Sequence, residues 1–184
     1  MTAAPPPEIE TLSSRIAYEN RWMRVREDRI RRRDGSEGLY GVVEKPDFAV
    51  IVPSDGARLH LVQQFRYPVG ARFWEFPQGA WESAPDADPA DLARGELAEE
   101  TGLIAAEMIH IGHLFQGYGY SNQGGHVFLA RGLTQGPSRR EPEEQGMVAR
   151  DFALAEVEAM LREGVIRDAI SVAAFGLLRL RGLV

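Results

Sequence analysis

Three glutamates in the segment ARGELAEETG, residues 93–102, have the types and spacing needed to bind a metal ion. Glu96, Glu99 and Glu100 stand at positions i, i+3 and i+4, so they share one face if the segment is a helix. A solvated acidic face is the usual explanation for such a run of like charges. Carboxylates held near a protein core need a compensating cation, however, and hard oxygen ligands suit Mg2+ or Mn2+.

The residues around the glutamates predict a helix over residues 89–101. Asp88 can cap the free amides at its start, and Gly102 suits the left-handed position that follows a helix. A predicted buried stripe lies beside the glutamates and consists of Ala90, Ala93, Leu97 and Thr101. We therefore expect at least Glu96 and Glu100 to lie close to a sheet.

The rest of the chain predicts an α/β fold, with a mixed β-sheet and helices packed on it. Alternation in WMRVREDRIRRRDGSEGLYGVVEK predicts a β-hairpin, and short apolar runs predict strands at FAVIVP, RLHLVQQFRYP, AEMIHIGHLF and GGHVFLARGL. ALAEVEAMLREG and DAISVAAFGLLRLRG have helical periodicity, and Asp168 can cap the second. We expect a flexible tail over residues 1–14, a strand and hairpin segment over 15–45 and the main domain over 46–184.

Composition and charge argue against several classes of protein. A net charge of -6 disfavours binding to nucleic acid, no stretch is apolar for the roughly 18 residues of a membrane span, and MTAAPPPEIE does not resemble a signal peptide. We therefore expect a cytoplasmic protein. There is no cysteine, and four histidines are dispersed along the chain: His60, His110, His113 and His126. For these histidines we expect scaffold or surface roles, and not a metal cluster.

The segment PQGAWESAPDADPADLARGELAEETGL, residues 77–103, resembles the signature of the Nudix hydrolases. The helix of that signature carries an arginine, a glutamate, a hydrophobic residue and a glutamate pair before a glycine. VQQFRYPVGARFWEFPQG and GYSNQGGHVFLA are similar to the branch that acts on ADP-ribose and nucleoside diphosphate sugars. The resemblance implies a Nudix-type α/β/α sandwich, with an N-terminal β-hairpin segment that builds a homodimer.

The same resemblance implies hydrolysis of the pyrophosphate bond of ADP-ribose or a related nucleoside diphosphate sugar, giving a nucleoside monophosphate and a sugar phosphate. Glu96, Glu99 and Glu100, with the backbone carbonyl of Gln78, would hold Mg2+ or Mn2+. The catalytic base would come from the late loop REPEEQGM, where Glu144 is the first choice and Glu143 the second. The alternative for that loop is an acidic segment with no catalytic task.

Substrate-binding residues are also implied by the resemblance. Arg66 matches a family arginine that contacts phosphate, although a surface arginine at a strand end is the alternative. Tyr40 matches an aromatic position that stacks on the base in some relatives, whereas a buried hairpin tyrosine is the other interpretation. The remaining substrate-binding candidates are Glu75, Glu82, Ser121 and Asn122.

Two departures from the family pattern bear on function. Gly95 stands where the signature has its arginine, and Arg94 is about 100 degrees around the helix from that position. Either another cation enters the space beside Gly95, or metal binding is weaker than usual. Tyr118 replaces a proline of many ADP-ribose enzymes, and Tyr120 matches a tyrosine of some dinucleoside polyphosphate hydrolases. A dinucleoside polyphosphate hydrolase and a catalytically weak nucleotide-sensing domain are therefore the alternative functions.

Overall fold

The structure is a computed structural model that describes residues 7–136 and 146–184. Its strands are β1 (Ile9–Glu19), β2 (Arg24–Arg32), β3 (Glu37–Glu44), β4 (Phe48–Pro53), β5 (Arg58–Arg66), β6 (Ala71–Glu75), β7 (Gln78–Gly79), β8 (Leu103–Phe115), β9 (Gly124–Gln135) and β10 (Val148–Ala153). Its α-helices are α1 (Pro89–Thr101), α2 (Leu154–Arg162) and α3 (Ala169–Leu180). The chain divides into two compact units, an N-terminal unit of residues 1–46 and 117–123 and a C-terminal unit of residues 47–116 and 124–184.

The N-terminal unit contains an antiparallel sheet in the order β1-β2-β3. The predicted hairpin is its β2–β3 pair, which turns at Gly35 with a φ of 85°. The prediction of a flexible tail over residues 1–14 is wrong from Ile9 onward, because β1 begins there and pairs with β2 along its length. Almost every residue of β1 is exposed, so its sequence has no alternation that would reveal a strand.

Residues 117–123 belong to the N-terminal unit although they are distant from it in the sequence. Val43, near the end of β3, donates its N–H to the carbonyl of Tyr120 at 2.7 Å. Val43 also pairs with Ser121 in a parallel bridge, and the Ser121 hydroxyl donates to the Val43 carbonyl at 2.9 Å. These bonds extend the end of β3 with a segment from the loop between β8 and β9.

The C-terminal unit contains two sheets, of which the larger is mixed. The mixed sheet has the order β7-β4-β9-β8, and β4 runs parallel to β9 while the other neighbours are antiparallel. The smaller sheet is antiparallel and has the order β10-β5-β6. The mixed sheet that the sequence predicts is therefore confirmed.

Helices cover both faces of the mixed sheet. Ala49 and Ile51 of β4 pack on one face with Leu97 of α1, whereas Val50 and Val52 pack on the other with residues of α2 and α3. Neighbouring residues of β4 face opposite ways because side chains alternate along a strand. The layers α1, sheet and α2 with α3 confirm the predicted α/β/α sandwich.

The structure confirms the predicted ends of α1. Asp88 Oδ1 accepts the N–H of Ala90 at 2.8 Å, and Gly102 follows the helix with a φ of 74°. Asp168 caps α3 as predicted, since its Oδ2 accepts the N–H of Ser171 at 2.9 Å. In the part of the chain that the structure describes, no helix combines the length and the apolar character needed to cross a membrane.

Candidate active site

Two glutamates of α1 lie buried against β7. Glu96 is 6% exposed and Glu100 is 2% exposed, which confirms the prediction that both lie near a sheet. Glu100 Oε2 accepts the backbone N–H of Gln78 at 3.1 Å. A Cβ atom placed on Gly79 would overlap the carboxylate of Glu96, so β7 and α1 approach closely because residue 79 has no side chain.

These groups fit a divalent metal ion. Two buried carboxylates next to the main chain of Gln78, with Glu99 half-buried on the same helix, form an oxygen-rich set of donors. Burial of carboxylates costs free energy unless a cation or hydrogen bonds compensate it. Carboxylate and carbonyl oxygens are also the ligands that Mg2+ and Mn2+ prefer.

The N-terminus of α3 fixes the backbone that leads into β7. Ser171 is fully buried, and its hydroxyl accepts the N–H of Phe76 at 2.9 Å while it donates to Asp168 Oδ2 at 2.7 Å. The same Asp168 oxygen accepts from the side-chain amide of Gln78 at 3.0 Å. The sequence identified Asp168 only as a helix cap, and these contacts with residues about 90 positions away were missed.

An indole ring occupies the space beside Gly95. A Cβ atom on Gly95 would overlap Cζ2 of Trp81 and would lie 3.1 Å from its Cη2. Among the described residues it is this ring, and not a guanidinium, that replaces the side chain of the signature arginine. Arg94 donates from Nη1 to the carbonyl of Ala105 on β8 at 3.0 Å, which agrees with the expectation that it does not substitute at position 95.

Arg66 is oriented by a buried carboxylate. Glu75 is 2% exposed and accepts from Gln64 Nε2 at 2.8 Å and from Arg66 Nε at 3.1 Å, and Arg66 Nη2 also contacts its Oε1. Burial raises the pKa of Glu75, although the charge of Arg66 opposes that shift. The Arg66 side chain is still 41% exposed. Glu75 therefore fixes the orientation of a guanidinium that lies at the surface of the C-terminal unit.

Three predicted substrate residues lie in the N-terminal unit, where they bond to its own backbone. The hydroxyl of Tyr40 donates to the carbonyl of Gly119 at 3.2 Å, and Asn122 Oδ1 accepts the N–H of Lys45 at 3.4 Å. Ser121 bonds to β3 as described above. Tyr40 is 41% exposed, so its interpretation as a buried hairpin tyrosine is wrong.

Three site predictions remain: Glu82, Glu143 and Glu144. Glu82 is exposed in the loop between β7 and α1. Glu143 and Glu144, the two candidates for the catalytic base, lie outside the described residues. Their role stays a prediction from the sequence.

Two of the four histidines contact Asp47, and a third contacts one of these two, although all three are dispersed in the sequence. His113 Nε2 lies 2.9 Å from Asp47 Oδ2, and His126 Nε2 lies 3.7 Å from the same oxygen. His110 Nε2 lies 3.3 Å from His126 Nδ1. Burial and the neighbouring His113 lower the pKa of His126. The sequence therefore did not reveal that these three side chains lie close together, and the expectation that they have scaffold or surface roles stays a prediction.

A cavity of about 180 Å³ opens beside this cluster. Asp47 and His126 contribute to its walls, together with Trp81, Pro85 and Leu92. Trp81 therefore both fills the space beside Gly95 and borders the cavity.

Comparison with known protein families divides the chain close to the boundary between the two units. Residues 44–174 match the family model described as NUDIX domain. Residues 9–43 match the family model described as nucleoside diphosphate sugar hydrolase N-terminal domain. The second match covers β1, β2 and nearly all of β3.

Several characterised proteins are similar to the chain along most of its length. An ADP-ribose pyrophosphatase of Mycobacterium tuberculosis is 30% identical over 168 residues, which cover 90% of this chain and 81% of the relative. An ADP-ribose pyrophosphatase of Bacillus subtilis is 28% identical over 150 residues, covering 80% of each. A crystal structure of an ADP compounds hydrolase has the same fold, with a TM-score of 0.83 at 19% identity, over 99% of this chain and 100% of that one.

Proposed function

The chain belongs to the NUDIX family and is a hydrolase of pyrophosphate bonds, and from that premise we propose that its substrate is ADP-ribose or a closely related nucleoside diphosphate sugar. The products are a nucleoside monophosphate and a sugar phosphate. The observation that carries the proposal is the pair of buried carboxylates, Glu96 and Glu100, held against the backbone of β7. The substrate class is supported by the N-terminal family match over residues 9–43 and by the relatives named ADP-ribose pyrophosphatase.

Glu96, Glu99, Glu100 and the backbone carbonyl of Gln78 are the proposed ligands of Mg2+ or Mn2+. When bound, such an ion neutralises charge on the diphosphate and makes water a better nucleophile. The protein contributes the fixed position of its oxygen donors. Ser171 holds the backbone N–H of Phe76, and Asp168 holds the side-chain amide of Gln78. The backbone N–H of Gln78 is held by Glu100, so the Gln78 peptide is fixed relative to α1.

Arg66 is the residue of the C-terminal unit that we propose binds a phosphate of the substrate. Arginine suits phosphate because its planar donors can bind two oxygens at once. The hydrogen bonds to Glu75 fix the orientation of the guanidinium, and the remaining exposed part of the side chain is available for an anion. We keep Tyr40, Glu82, Ser121 and Asn122 as proposed substrate contacts on the basis of the family resemblance.

A carboxylate has to accept the proton of the attacking water, and Glu144 and then Glu143 are the proposed bases. Glu144→Gln should lower kcat about 100-fold or more with little change in KM, because an amide keeps the size of the side chain and cannot accept the proton. Glu143→Gln is the matched comparison. If both variants retain kcat within about threefold of the wild type, the base lies elsewhere in the chain.

Turnover of a substrate panel tests the main proposal. The wild type, Glu100→Gln and the control Glu107→Gln, which changes an exposed glutamate of β8, are assayed with Mg2+ or Mn2+ on ADP-ribose, GDP-mannose, UDP-glucose and diadenosine polyphosphates. We expect ADP-ribose to be preferred, and only Glu100→Gln to lose about 100-fold or more in kcat. Preference for diadenosine polyphosphates would favour the alternative that Tyr120 suggests. If all three proteins had only background activity, we would conclude that the chain binds nucleotides without hydrolysing them.

The sheet of the N-terminal unit is the proposed surface of a homodimer. Large apolar side chains are exposed on it, with fractions of 46% for Ile16, 53% for Tyr18 and 64% for Leu39. The strand register places Tyr18 and Leu39 on one face of the sheet and Ile16 on the other. Burial of these side chains against a second copy of the chain would remove apolar surface from water. The mass of the particle in solution tests this proposal.

A further inference from the structure

We propose that Asp47, His113 and His126 form a second metal site, which takes a transition-metal ion such as Zn2+ and is separate from the glutamates of α1. Asp47 directly precedes β4, His126 lies near the start of β9, and His113 lies near the end of β8. Pairing of the three strands brings these ends together, since His113 is opposite His126 and His126 is beside Ala49. One ligand atom from each residue lies within 4.8 Å of the other two.

The distances between the donor atoms suit a tetrahedral ion. Metal–ligand bonds of about 2.0 to 2.2 Å place neighbouring donors of a tetrahedral zinc site about 3.4 Å apart. Asp47 Oδ2 lies 2.9 Å from His113 Nε2 and 3.7 Å from His126 Nε2, on either side of that value. Two imidazoles and one carboxylate leave a fourth position open, as in zinc sites that also bind water or an exchangeable ligand.

The surrounding hydrogen bonds hold these donors in a suitable arrangement. Asp47 Oδ1 accepts the N–H of Gly124 at 2.7 Å, which leaves Oδ2 for the ion. His126 Nδ1 faces His110 Nε2 at 3.3 Å, so a proton on Nδ1 can be donated to His110 while Nε2 binds metal. Histidine ligands in metal sites commonly donate their second ring N–H in this way.

The site is built around a glycine and is open to solvent. A Cβ atom on Gly124 would overlap the imidazole of His113, so that ring occupies the place of a side chain. The side chains of Asp47, His113 and His126 are 42%, 31% and 23% exposed. The cavity of about 180 Å³ that Asp47 and His126 border is large enough for water to complete the coordination.

The histidine site and the glutamate face are neighbours, and they differ in chemistry. In the mixed sheet Ala49 pairs with Gly79 on one side and with His126 on the other. Strands lie about 4.8 Å apart, so Gly79 and His126 are about 10 Å apart across the sheet. Imidazole nitrogens favour Zn2+ over Mg2+, whereas carboxylate oxygens suit Mg2+. A large excess of Mg2+ should therefore occupy the proposed glutamate site and leave the histidine site available to Zn2+.

Calorimetric titration with Zn2+ tests the proposal on metal-free full-length protein in excess Mg2+. The wild type should bind one equivalent, and His113→Asn and His126→Asn should each weaken binding at least tenfold. His60→Asn, which changes a histidine of β5 outside the cluster, and Glu100→Gln should bind Zn2+ as the wild type does. Retention in Glu100→Gln separates this proposal from the proposed catalytic metal site.

Nuclear magnetic resonance of the histidine rings gives a measurement that needs no variant. Addition of Zn2+ should shift the Nε2 resonances of His113 and His126 and leave those of His60 unchanged. The proposal is overturned if Zn2+ shifts neither ring, if the wild type binds no equivalent of Zn2+ in excess Mg2+, or if His60→Asn loses as much affinity as His113→Asn. In each of these cases the contact between Asp47 and His113 is a hydrogen bond without a metal.

Discussion

The indole ring of Trp81 lies where a side chain at position 95 would extend from α1. Glycine inside a helix costs about 1 kcal/mol relative to alanine, and here packing of the half-buried ring offsets that cost. Trp81 also belongs to the apolar layer between α1 and the mixed sheet. At the position where the family signature has an arginine, this chain therefore has Gly95 with the Trp81 ring packed on it. This contact stabilises α1 directly before Glu96.

Alanine at position 95 should have opposite effects in two backgrounds. Gly95→Ala alone should lower the free energy of unfolding by about 1 to 3 kcal/mol, because its methyl group overlaps the Trp81 ring. In a Trp81→Ala background the same change should raise it by up to about 1 kcal/mol, because only helix propensity remains. Urea unfolding of the four proteins in a double-mutant cycle measures both effects. Equal stabilisation in both backgrounds would show that the ring does not occupy this space.

The substitution Glu75→Gln should affect substrate binding more than the free energy of unfolding. Burial raises the pKa of its carboxyl group, so the ionised form is costly to keep inside the protein. Glu75→Gln removes that cost and also the charge that orients Arg66, so we expect a change in unfolding free energy below about 1 kcal/mol and a rise in KM on the order of tenfold. Steady-state kinetics and urea unfolding give the two values.

Asp151→Asn is the matched control for this prediction. Asp151 pairs with Arg58 on the same sheet as Arg66, and both side chains of that pair are well exposed. The control should leave KM unchanged. A rise in KM for Asp151→Asn equal to that for Glu75→Gln would mean that general loss of charge, and not the orientation of Arg66, is responsible.

At the scale of helices and strands, the sequence predicts features that depend on residues close together in the chain. The ends of α1 were predicted because Asp88 and Gly102 act on neighbouring backbone. Residues 9–14 of β1 were assigned to the tail because β1 is held by pairing with β2 and not by a buried face. The histidine cluster was missed because Asp47 and His113 are separated by 66 positions and only the pairing of β4, β8 and β9 joins them.

The hydrogen bond between Ser171 of α3 and the backbone of Phe76 should affect how much Mg2+ the enzyme needs for activity. Ser171→Ala leaves the buried N–H of Phe76 without its acceptor, which should lower the unfolding free energy by about 1 to 3 kcal/mol. The Gln78 peptide should also lose its fixed position, so the Mg2+ concentration for half-maximal activity should rise several-fold. Activity measured against Mg2+ concentration at saturating substrate gives that value.

Val172→Ala is the control for this prediction, because Val172 is the next residue of α3 and is 45% exposed. It should change neither stability nor the Mg2+ requirement by a measurable amount. If Ser171→Ala lowers stability and leaves the Mg2+ requirement of the folded enzyme unchanged, the contact supports the fold alone and does not position Gln78.

At the scale of the whole molecule, the N-terminal unit has apolar surface that its own strands do not cover. Leu39 pairs across the sheet with Arg29, and Tyr18 pairs with Val25. Val25 and Arg29 are four residues apart in β2, so these pairs lie on one face of the sheet. The dimer is a prediction from family resemblance, and Tyr18 and Leu39 are exposed apolar side chains of this face at which it can be tested.

Charge on that face should separate the proposed dimer. The wild type should have twice the chain mass of 20.4 kDa in light scattering, whereas Leu39→Glu and Tyr18→Glu should approach the single-chain mass at low micromolar concentration, because a glutamate buried in an apolar interface is costly. Leu180→Glu is the control, since Leu180 is 89% exposed at the end of α3 in the C-terminal unit. A wild-type protein of single-chain mass, or a dimer that only Leu180→Glu dissociates, would exclude this face as the interface.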